Sequence, residues 1–444
     1  MSNISRDSIF LKYCFLFFVA IIPFSALLTT IIDSKINNIL LSSSFEEVII
    51  VLLTLLSIII LARHKEYRSK FMKGLGSAFG ISLLAFTIYC GIFLLIKGIN
   101  PVSFVGFVLN VRFVGVVLSG ALLGLIYKKQ LINDVSRLVV VCGVISVVLG
   151  IVMVLLPPRY LTGLGYDASG IDRPGRPGAQ YLVSANLPIK RMQAGFRSPN
   201  SLGVYLLIPF ALVLFNQVKL LKRNRYLVLS IVALGVVWSF SRGAWIGLLI
   251  LAGWYVFVNR HLLLSNHKAR IVLVLSVVVA LLGISAVTLS PVGRSLLLHQ
   301  TDNQANGSTE LRLKSYGSNM RLFVSNPLGR GHGYASPAGR LSNNNSGAYV
   351  VTENSYIQYG LELGVVGLLL FVAFMVATWQ QIRWFSPPIS RQAYWSLLAT
   401  IAIIGLFIPI WTEESVPITW WALVSLNIGL GFVSQLKHAK NSTS

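Results

Sequence analysis

Apolar runs long enough to cross a bilayer recur along the whole sequence, and they constrain the fold more than any other feature. We count twelve runs of the length that a membrane helix requires, about 17–25 residues. They lie near 9–32, 46–62, 75–97, 102–127, 136–156, 199–220, 226–240, 243–258, 271–290, 355–378, 394–411 and 416–435. Only 11% of the residues are charged, against about 25% in soluble domains. The sequence therefore predicts an all-α integral membrane protein with one polytopic domain over residues 1–444.

The distribution of basic residues predicts the orientation of these spans. With the N-terminus in the cytoplasm, the short loops that lie inside are basic, as in RHKEYRSKFMK at 63–73 and KLLKRNR at 219–225. The short loops on the other side are nearly free of Lys and Arg. By the positive-inside rule, we expect both termini in the cytoplasm and two long loops outside, 157–198 and 291–352.

The two long outer loops carry more cations than anions. These cations are Arg159, Arg173, Arg176, Lys190, Arg191 and Arg197 in the first loop, and Arg294, Arg312, Lys314, Arg321, Arg330 and Arg340 in the second. Long loops cross the membrane despite their charge, so topology does not account for this excess. We interpret it as a surface for an anionic ligand, with solubility of the loops as the alternative.

The sequence gives no sign of a metal, a cofactor or a nucleic-acid partner. Cys14, Cys90 and Cys142 all fall inside apolar spans, as is typical of small buried apolar residues. No Cys/His spacing of a metal site and no Asp-rich cluster occurs. A nucleic-acid partner would require a soluble basic domain, which the sequence lacks. We therefore expect any chemistry here to need neither metal nor cofactor.

Charged side chains within or beside the spans are candidates for function, because burying a charge in lipid is costly. Arg112 lies in the middle of a span, and Arg242 lies between two apolar runs with almost no loop. Arg197 comes just before Pro199, where a helix is expected to begin. The structural alternatives are a pairing of Arg112 with a buried carboxylate such as Glu362, and snorkelling of Arg242 to lipid phosphate.

Glu353 stands where the second outer loop meets an apolar run, within the segment TENSY. A partly desolvated carboxylate can take a proton from a sugar hydroxyl, so we predict that Glu353 is a general base. His299 and His332 are rival bases in the same loop. The structural alternative places Glu353 at the positive end of a helix, with Asn354 or Thr352 as the capping residue.

Arginine side chains suit the other half of such a reaction, the departure of a diphosphate. Guanidinium groups bind phosphate oxygens in bidentate fashion and stay charged at physiological pH. They can neutralise the charge that develops on the leaving group without a metal ion. The residues predicted to bind substrate are Arg112, Arg312, Arg321, Arg330, His332, Asn354 and Tyr356.

Three segments, in order, resemble the O-antigen ligase and polymerase superfamily of polytopic membrane glycosyltransferases. They are FRSPNSLG at 196–203, SRGAWIG at 241–247, and NPLGRGHG at 326–333 followed by ENSYIQYGLELGVVG at 353–367. The resemblance covers roughly residues 190–380.

This resemblance implies a GT-C-like fold and metal-independent glycan transfer. The donor would be a glycan on undecaprenyl diphosphate, used at the outer face of the cytoplasmic membrane with inversion at the anomeric carbon. Matched position by position, Arg197 and Arg242 would bind the diphosphate. Glu353 stands where many ligases of the family carry His before Asn, and the family's polymerases tolerate Glu there. The resemblance therefore favours a polymerase over a ligase in the assembly of cell-surface polysaccharide such as lipopolysaccharide.

Two other classes of function are kept open. A transporter or flippase of lipid-linked glycan would also use basic outer loops and Arg112. Such proteins usually show repeat symmetry and helices broken near the midplane, and the sequence suggests neither. A membrane scaffold would not need Glu353 or Arg242 for glycan products. Because the candidate residues gather at the expected outer surface, we favour the glycosyltransferase.

Overall fold

A computed structural model describes residues 6–168, 176–183, 189–261, 308–341, 350, 352–385, 388–413 and 415–441. Within these residues the chain is helical, with isolated bridges such as Asp167–Gly178 and no strand. The predicted α-helical class is confirmed for this part of the chain. The predicted span 271–290 lies outside the described residues, as do Arg173, Arg294 and His299.

Helices follow one another closely along the chain. The first nine are α1 (Arg6–Ile21), α2 (Ser25–Ile36), α3 (Ile39–Ser43), α4 (Phe45–Arg63), α5 (Lys65–Leu75), α6 (Ala78–Lys97), α7 (Pro101–Val111), α8 (Phe113–Leu155) and α9 (Pro158–Gly163). The further described helices are α10 (Pro199–Leu214), α11 (Lys222–Trp238), α12 (Arg242–Val258), α13 (Ser308–Ser325), α14 (Ser355–Ile382), α15 (Pro388–Ile404) and α16 (Ser415–Asn441).

Six helical stretches in the described part are long and apolar enough to cross a membrane. They are Arg6–Ile36, Phe45–Arg63, Ala78–Lys97, Pro101–Leu155, Ser355–Ile382 and Ser415–Phe432. The stretch Pro101–Leu155 covers two of the predicted spans. Its backbone is non-helical at Lys128, which lies in the short loop expected between them. The protein is therefore an α-helical membrane protein, while the number of twelve spans stays a prediction.

Helices α8 and α16 form the centre of the bundle, where small residues let their backbones approach closely. A Cβ atom added at Gly124 or Gly429 would collide with the backbone of the facing helix. Beside this contact, the rings of Phe113, Phe374 and Trp421 stack on one another at centroid distances of 5.0–5.6 Å. The core thus joins α8, α14 and α16.

The described part of the loop 291–352 forms a helix and packs on the membrane helix that follows it. It contains α13, an 18-residue helix that the search for apolar spans did not predict. Its Phe323 packs against Gly360 of α14, where an added Cβ would lie 2.7 Å from the ring. The loop is thereby held against the start of α14.

Helix α14 is broken at Gly364, whose φ is +72° and ψ is −176°. The backbone groups that the break leaves free bind the preceding glycine-rich segment. Arg330 N donates to Leu361 O at 2.8 Å, and Val365 N donates to Pro327 O at 2.8 Å. Gly329, with φ of +74°, fills the break. The sequence did not suggest this break, because the loop supplies partners that the sequence pattern of α14 does not show.

Substituting Gly364→Ala should destabilise the fold. An added Cβ would lie 2.7 Å from Pro327 O. A backbone with the positive φ of Gly364 also costs a non-glycine residue about 1–3 kcal/mol. We expect a lower thermal unfolding midpoint for the purified protein in detergent. The matched control is Gly253→Ala, where the added Cβ meets no atom within 4 Å. Equal midpoints for the two variants would contradict the close packing of Pro327 and Gly329 at the break in α14.

Candidate functional site

Helix α10 begins as the sequence predicts, with Pro199 at its first position. Ser198 caps the helix, since its Oγ accepts the backbone N–H of Ser201 at 3.2 Å. Arg197 comes directly before this cap and is half-buried. Its carbonyl accepts the hydroxyl of Tyr181 at 3.3 Å. Arg197 therefore lies at the positive end of a helix, where an anion is favoured.

Arg242 is the first residue of α12 and is also half-buried. Ser241 caps this helix by accepting the backbone N–H of Ala244 at 3.4 Å. Gly203 of α10 packs directly on this corner, where an added Cβ would lie 2.5 Å from Ser239 Oγ. The starts of α10 and α12 are thus in contact.

Arg191 holds the same two helix starts together. Its Nε donates to Ser239 O at 2.9 Å, and its Nη2 donates to Asn200 Oδ1 at 2.9 Å and to Phe240 O at 3.2 Å. Sequence reasoning counted Arg191 among the cations for an anionic ligand and missed this role. No signal in the sequence separates it from Arg197, because the carbonyls that it binds come from a distant segment.

Two further cations of the first loop also bind the protein itself. Arg176 Nε lies 3.0 Å from Asp33 Oδ2, and its Nη2 donates to Asn37 Oδ1 at 2.9 Å. Lys190 Nζ donates to Val154 O at 3.1 Å. Part of the basic excess therefore fastens the first loop to α2 and α8.

A groove of about 760 Å³ lies beside Arg176, within the size range of ligand pockets. Its lining also includes Ser34, Lys35, Thr162 and Asp167. These hydroxyl and charged groups suit a hydroxylated polar ligand better than a lipid chain.

Asn354 caps α14 with its amide oxygen and binds neighbouring elements with its amide nitrogen. Its Oδ1 accepts the backbone N–H groups of Tyr356 and Ile357 at 2.8 and 2.9 Å. Its Nδ2 donates to Tyr316 of α13 at 3.0 Å and to Leu406 O at 2.9 Å. The capping alternative is confirmed for Asn354, while its predicted contact with substrate stays a prediction.

The connection between α15 and α16 touches all three helix starts. Ser355 Oγ donates to Ile408 O at 3.0 Å. An added Cβ on Gly243 would lie 3.3 Å from Ile408 Cδ1. Ser201 Oγ donates to Glu413 Oε2 at 2.9 Å. The structure therefore gathers around one connection the helix starts that carry the three residues predicted to be catalytic.

Glu353 lies directly before the cap of α14 and is half-buried. Tyr356, the second residue of the helix, donates its hydroxyl to Ala402 O at 2.8 Å. The predicted base is therefore partly exposed, directly before a helix whose start is held in place by hydrogen bonds.

Arg112 is buried at the junction of α7 and α8, with 7% of its surface exposed. Its Nη1 lies 3.3 Å from Glu47 Oε1 and 3.7 Å from Glu46 Oε2. Its Nη2 donates to Thr412 O at 3.2 Å and to Glu413 O at 3.1 Å. Arg112 thus joins α4 to the connection that gathers the helix starts, and its predicted binding of substrate stays a prediction.

Glu362 does not pair with Arg112, so the specific pairing suggested by the sequence was wrong. Its Oε2 accepts Asn110 Nδ2 at 2.8 Å, and its Oε1 accepts the backbone N–H of Ala335 at 3.0 Å. Asn110 Nδ2 also lies 3.1 Å from His332 Nδ1. Glu362 therefore binds the glycine-rich segment of the outer loop.

His332 is buried, with both ring nitrogens in hydrogen bonds to the protein. Its Nε2 lies 3.0 Å from Cys90 O, which can only accept, so Nε2 carries the hydrogen and Nδ1 accepts from Asn110. The edges of Phe93 and Phe107 flank the ring. Burial lowers the pKa of His332 below its ordinary value. This geometry anchors the loop, and the predicted roles as rival base and substrate ligand stay predictions.

The other predicted ligands lie on or beside α13. Arg321 and Arg330 are exposed, and Arg330 Nη1 donates to the hydroxyl of Tyr334 at 2.9 Å. Arg312 belongs to α13, and its side chain lies outside the described residues. Among the residues described, no group of three or more His, Cys, Asp or Glu could hold a metal ion.

The described helices define this chain as a polytopic α-helical membrane protein, and Arg197 and Arg242 lie at the starts of two of its helices. Residues 227–372 match the family model of the O-antigen ligase domain, which confirms the resemblance to the O-antigen ligase superfamily. The matched segment includes Arg242 and Glu353. The match supports membrane glycosyltransferase activity of the ligase and polymerase type. No curated protein matches the chain.

Removing the buried cation should destabilise the protein strongly. Arg112→Ala leaves Glu46 and Glu47 without their guanidinium partner, and breaking a buried ion pair costs about 3–5 kcal/mol. We expect a large fall in the thermal unfolding midpoint in detergent. Arg63→Ala is the control, because its pair with Asp7 is exposed and such pairs contribute about 0–1 kcal/mol. A loss no greater than that of the control would show that Arg112 is not a structural anchor.

The lowered pKa of His332 predicts acid sensitivity. Unfolded His takes a proton near its ordinary pKa of 6.5, whereas the folded ring stays neutral to lower pH. The unfolded state then binds more protons below about pH 6.5, so stability falls as the pH drops through this value. Between about pH 7.5 and about pH 5.5, the thermal unfolding midpoint should fall less for His332→Gln than for wild type. The same drop in both proteins would argue against this assignment.

Proposed function

We propose that this protein transfers or polymerises a glycan from an undecaprenyl-diphosphate donor at the outer face of the cytoplasmic membrane. The product would be a cell-surface polysaccharide. The observation that carries the proposal is the gathering of the helix starts of Arg197, Arg242 and Glu353 around one connection, in a chain with an O-antigen ligase domain.

The two arginines account for the departure of the diphosphate. Arg197 and Arg242 lie at the positive ends of α10 and α12, where dipole and guanidinium charges act in the same direction. As the bond between the anomeric carbon and the diphosphate oxygen breaks, its electron pair passes to that oxygen. Fixed positive groups stabilise this charge without reorganisation.

Glu353 completes the reaction as general base. An acceptor hydroxyl oxygen attacks the anomeric carbon from the face opposite the leaving group, and Glu353 takes the hydroxyl proton. One displacement of this kind inverts the anomeric centre. No step requires a metal ion, since the charges come from side chains and helix ends.

The acceptor distinguishes the two forms of this activity. In a polymerase the acceptor is a second lipid-linked glycan, and in a ligase it is a different glycan or lipid. We favour the polymerase, because Glu353 replaces the His of many ligases. From the distribution of Lys and Arg among the short loops we infer that both termini lie in the cytoplasm, with the loops 157–198 and 291–352 outside.

The break in α14 is the observation that favours the rival reading, a flippase of lipid-linked glycan. Broken helices are typical of transporters. Here, however, Gly329 and its neighbours fill the break and bind its backbone groups. We therefore assign the break to holding the outer loop.

The test is transfer by the purified protein in detergent. The host's undecaprenyl-diphosphate glycan is supplied with EDTA and without ATP, and lipid-linked products are separated by length. We expect longer chains from wild type and none from Arg197→Ala, Arg242→Ala or Glu353→Gln, although each variant still inserts. Arg63→Ala is the control, because Arg63 is an exposed cation outside both long loops, paired with Asp7.

Each result has a definite meaning. Transfer to a different added acceptor would identify a ligase. Normal polymer from Arg197→Ala or Arg242→Ala would refute the role of that arginine. Binding of the lipid without transfer under every condition would favour the flippase.

A further inference from the structure

A chain of hydrogen bonds leads from the interior of the bundle to the residue before Glu353. The backbone N–H of Ala335 donates to Glu362 Oε1 at 3.0 Å. The carbonyl of the same residue accepts Thr352 Oγ1 at 3.3 Å. Thr352 is buried, with 4% of its surface exposed, and it is bonded covalently to Glu353. Ala335 thus transmits the position of Glu362 to the predicted base.

The other oxygen of Glu362 is fixed by a span. Asn110 of α7 donates to Oε2 at 2.8 Å, and Asn110 itself contacts His332. Glu362 is fully buried, and no Lys or Arg in the described part of the chain forms an ion pair with it. A buried charge of this kind is tolerated only with well-placed donors. Its donors come from Asn110 of α7 and from the loop residues Gly333, Ala335 and Ser336, so Glu362 joins α7 to the loop.

The break in α14 reinforces the same junction. Gly331 N donates to Glu362 O at 3.0 Å, and Arg330 N donates to Leu361 O at 2.8 Å. The turn that carries the Glu362 carboxylate is therefore held to the loop by its backbone as well as by its side chain. The side chain and the backbone fix opposite ends of the segment 330–335.

We propose that Glu362, oriented by Asn110, is a positioning residue that sets the location of Glu353 through Ala335 and Thr352. The inference rests on the proposed role of Glu353 as general base. Glu362 itself touches no substrate. It acts on the rate of transfer because small displacements of a base from the reacting proton slow the reaction strongly.

The chemistry of the pair supplies a sharp test. Both oxygens of Glu362 face donors, so Glu362→Gln sets an NH₂ group against one of them. Asn110→Asp alone sets two carboxylates against each other. The double variant restores the bond between positions 110 and 362, because the new amide donates to the new carboxylate and still accepts from Ala335 N, while His332 Nδ1 loses its donor. We expect each single change to lower kcat by about 10–100-fold, and the double variant to recover part of this loss.

The apparent KM for the donor should stay within about twofold in these variants, because Arg197 and Arg242 lie on other helices and misplacing the base affects the chemical step. Thr352→Val cuts the chain one bond from Glu353 without disturbing the buried carboxylate. Thr352→Val should also lower kcat at unchanged KM. If Glu362→Gln does not insert into the membrane, Thr352→Val replaces it as the test variant. Thr378→Val is the control, since its hydroxyl is buried in α14 but bonds only within the helix, and it should leave kcat unchanged.

The outcomes separate this proposal from the proposed function. If Glu353→Gln retains transfer, the assignment of the base fails. If Glu353→Gln is inactive while Glu362→Gln and Thr352→Val keep wild-type kcat, the positioning role is overturned and the base stands. A double variant as slow as the single variants, with a normal unfolding midpoint, would equally overturn it.

Discussion

The rest of the site depends on the burial of two polar side chains at the junction of α7 and α8. Asn110 and Arg112 are buried there, where water cannot satisfy them, so each must find protein partners. Arg112 binds α4 and the carbonyls of Thr412 and Glu413, while Asn110 binds Glu362. The two residues thus connect the core to both sides of the site, the arginine side through Glu413 and the carboxylate side through Glu362.

The described cations of the loop 157–198, together with Arg242, include two groups with different physical roles. Arg176 and Arg191 bind carboxylate, amide and carbonyl oxygens of the protein, and they give the loop its shape. Arg197 and Arg242 lie at helix starts, where fixed N–H groups add to their charge. A strongly basic composition is therefore a poor measure of ligand-binding charge, because the fold uses much of it internally.

The sequence predicted the features that depend on local chemistry. Apolar runs located the described spans, and Pro199 marked the start of α10. The partner of Arg112 could not be predicted, since Glu46 and Glu362 are equally plausible carboxylates until tertiary packing selects one. Helix α13 was missed because it packs through one small apolar cluster around Phe323. The structural role of Arg191 was also missed, because its hydrogen-bond partners come from another segment.

The packing of Gly329 against Gly364 has a consequence for the order in which the protein folds. The carbonyls of Leu361 and Glu362 receive their hydrogen bonds from a segment of the preceding outer loop, and lipid offers no substitute donors. We therefore expect helix α14 to complete its backbone hydrogen bonds only after that loop has docked on it. Because the docked loop also contacts Thr352, the residue before Glu353, we expect the proposed transfer activity to appear only after this docking step.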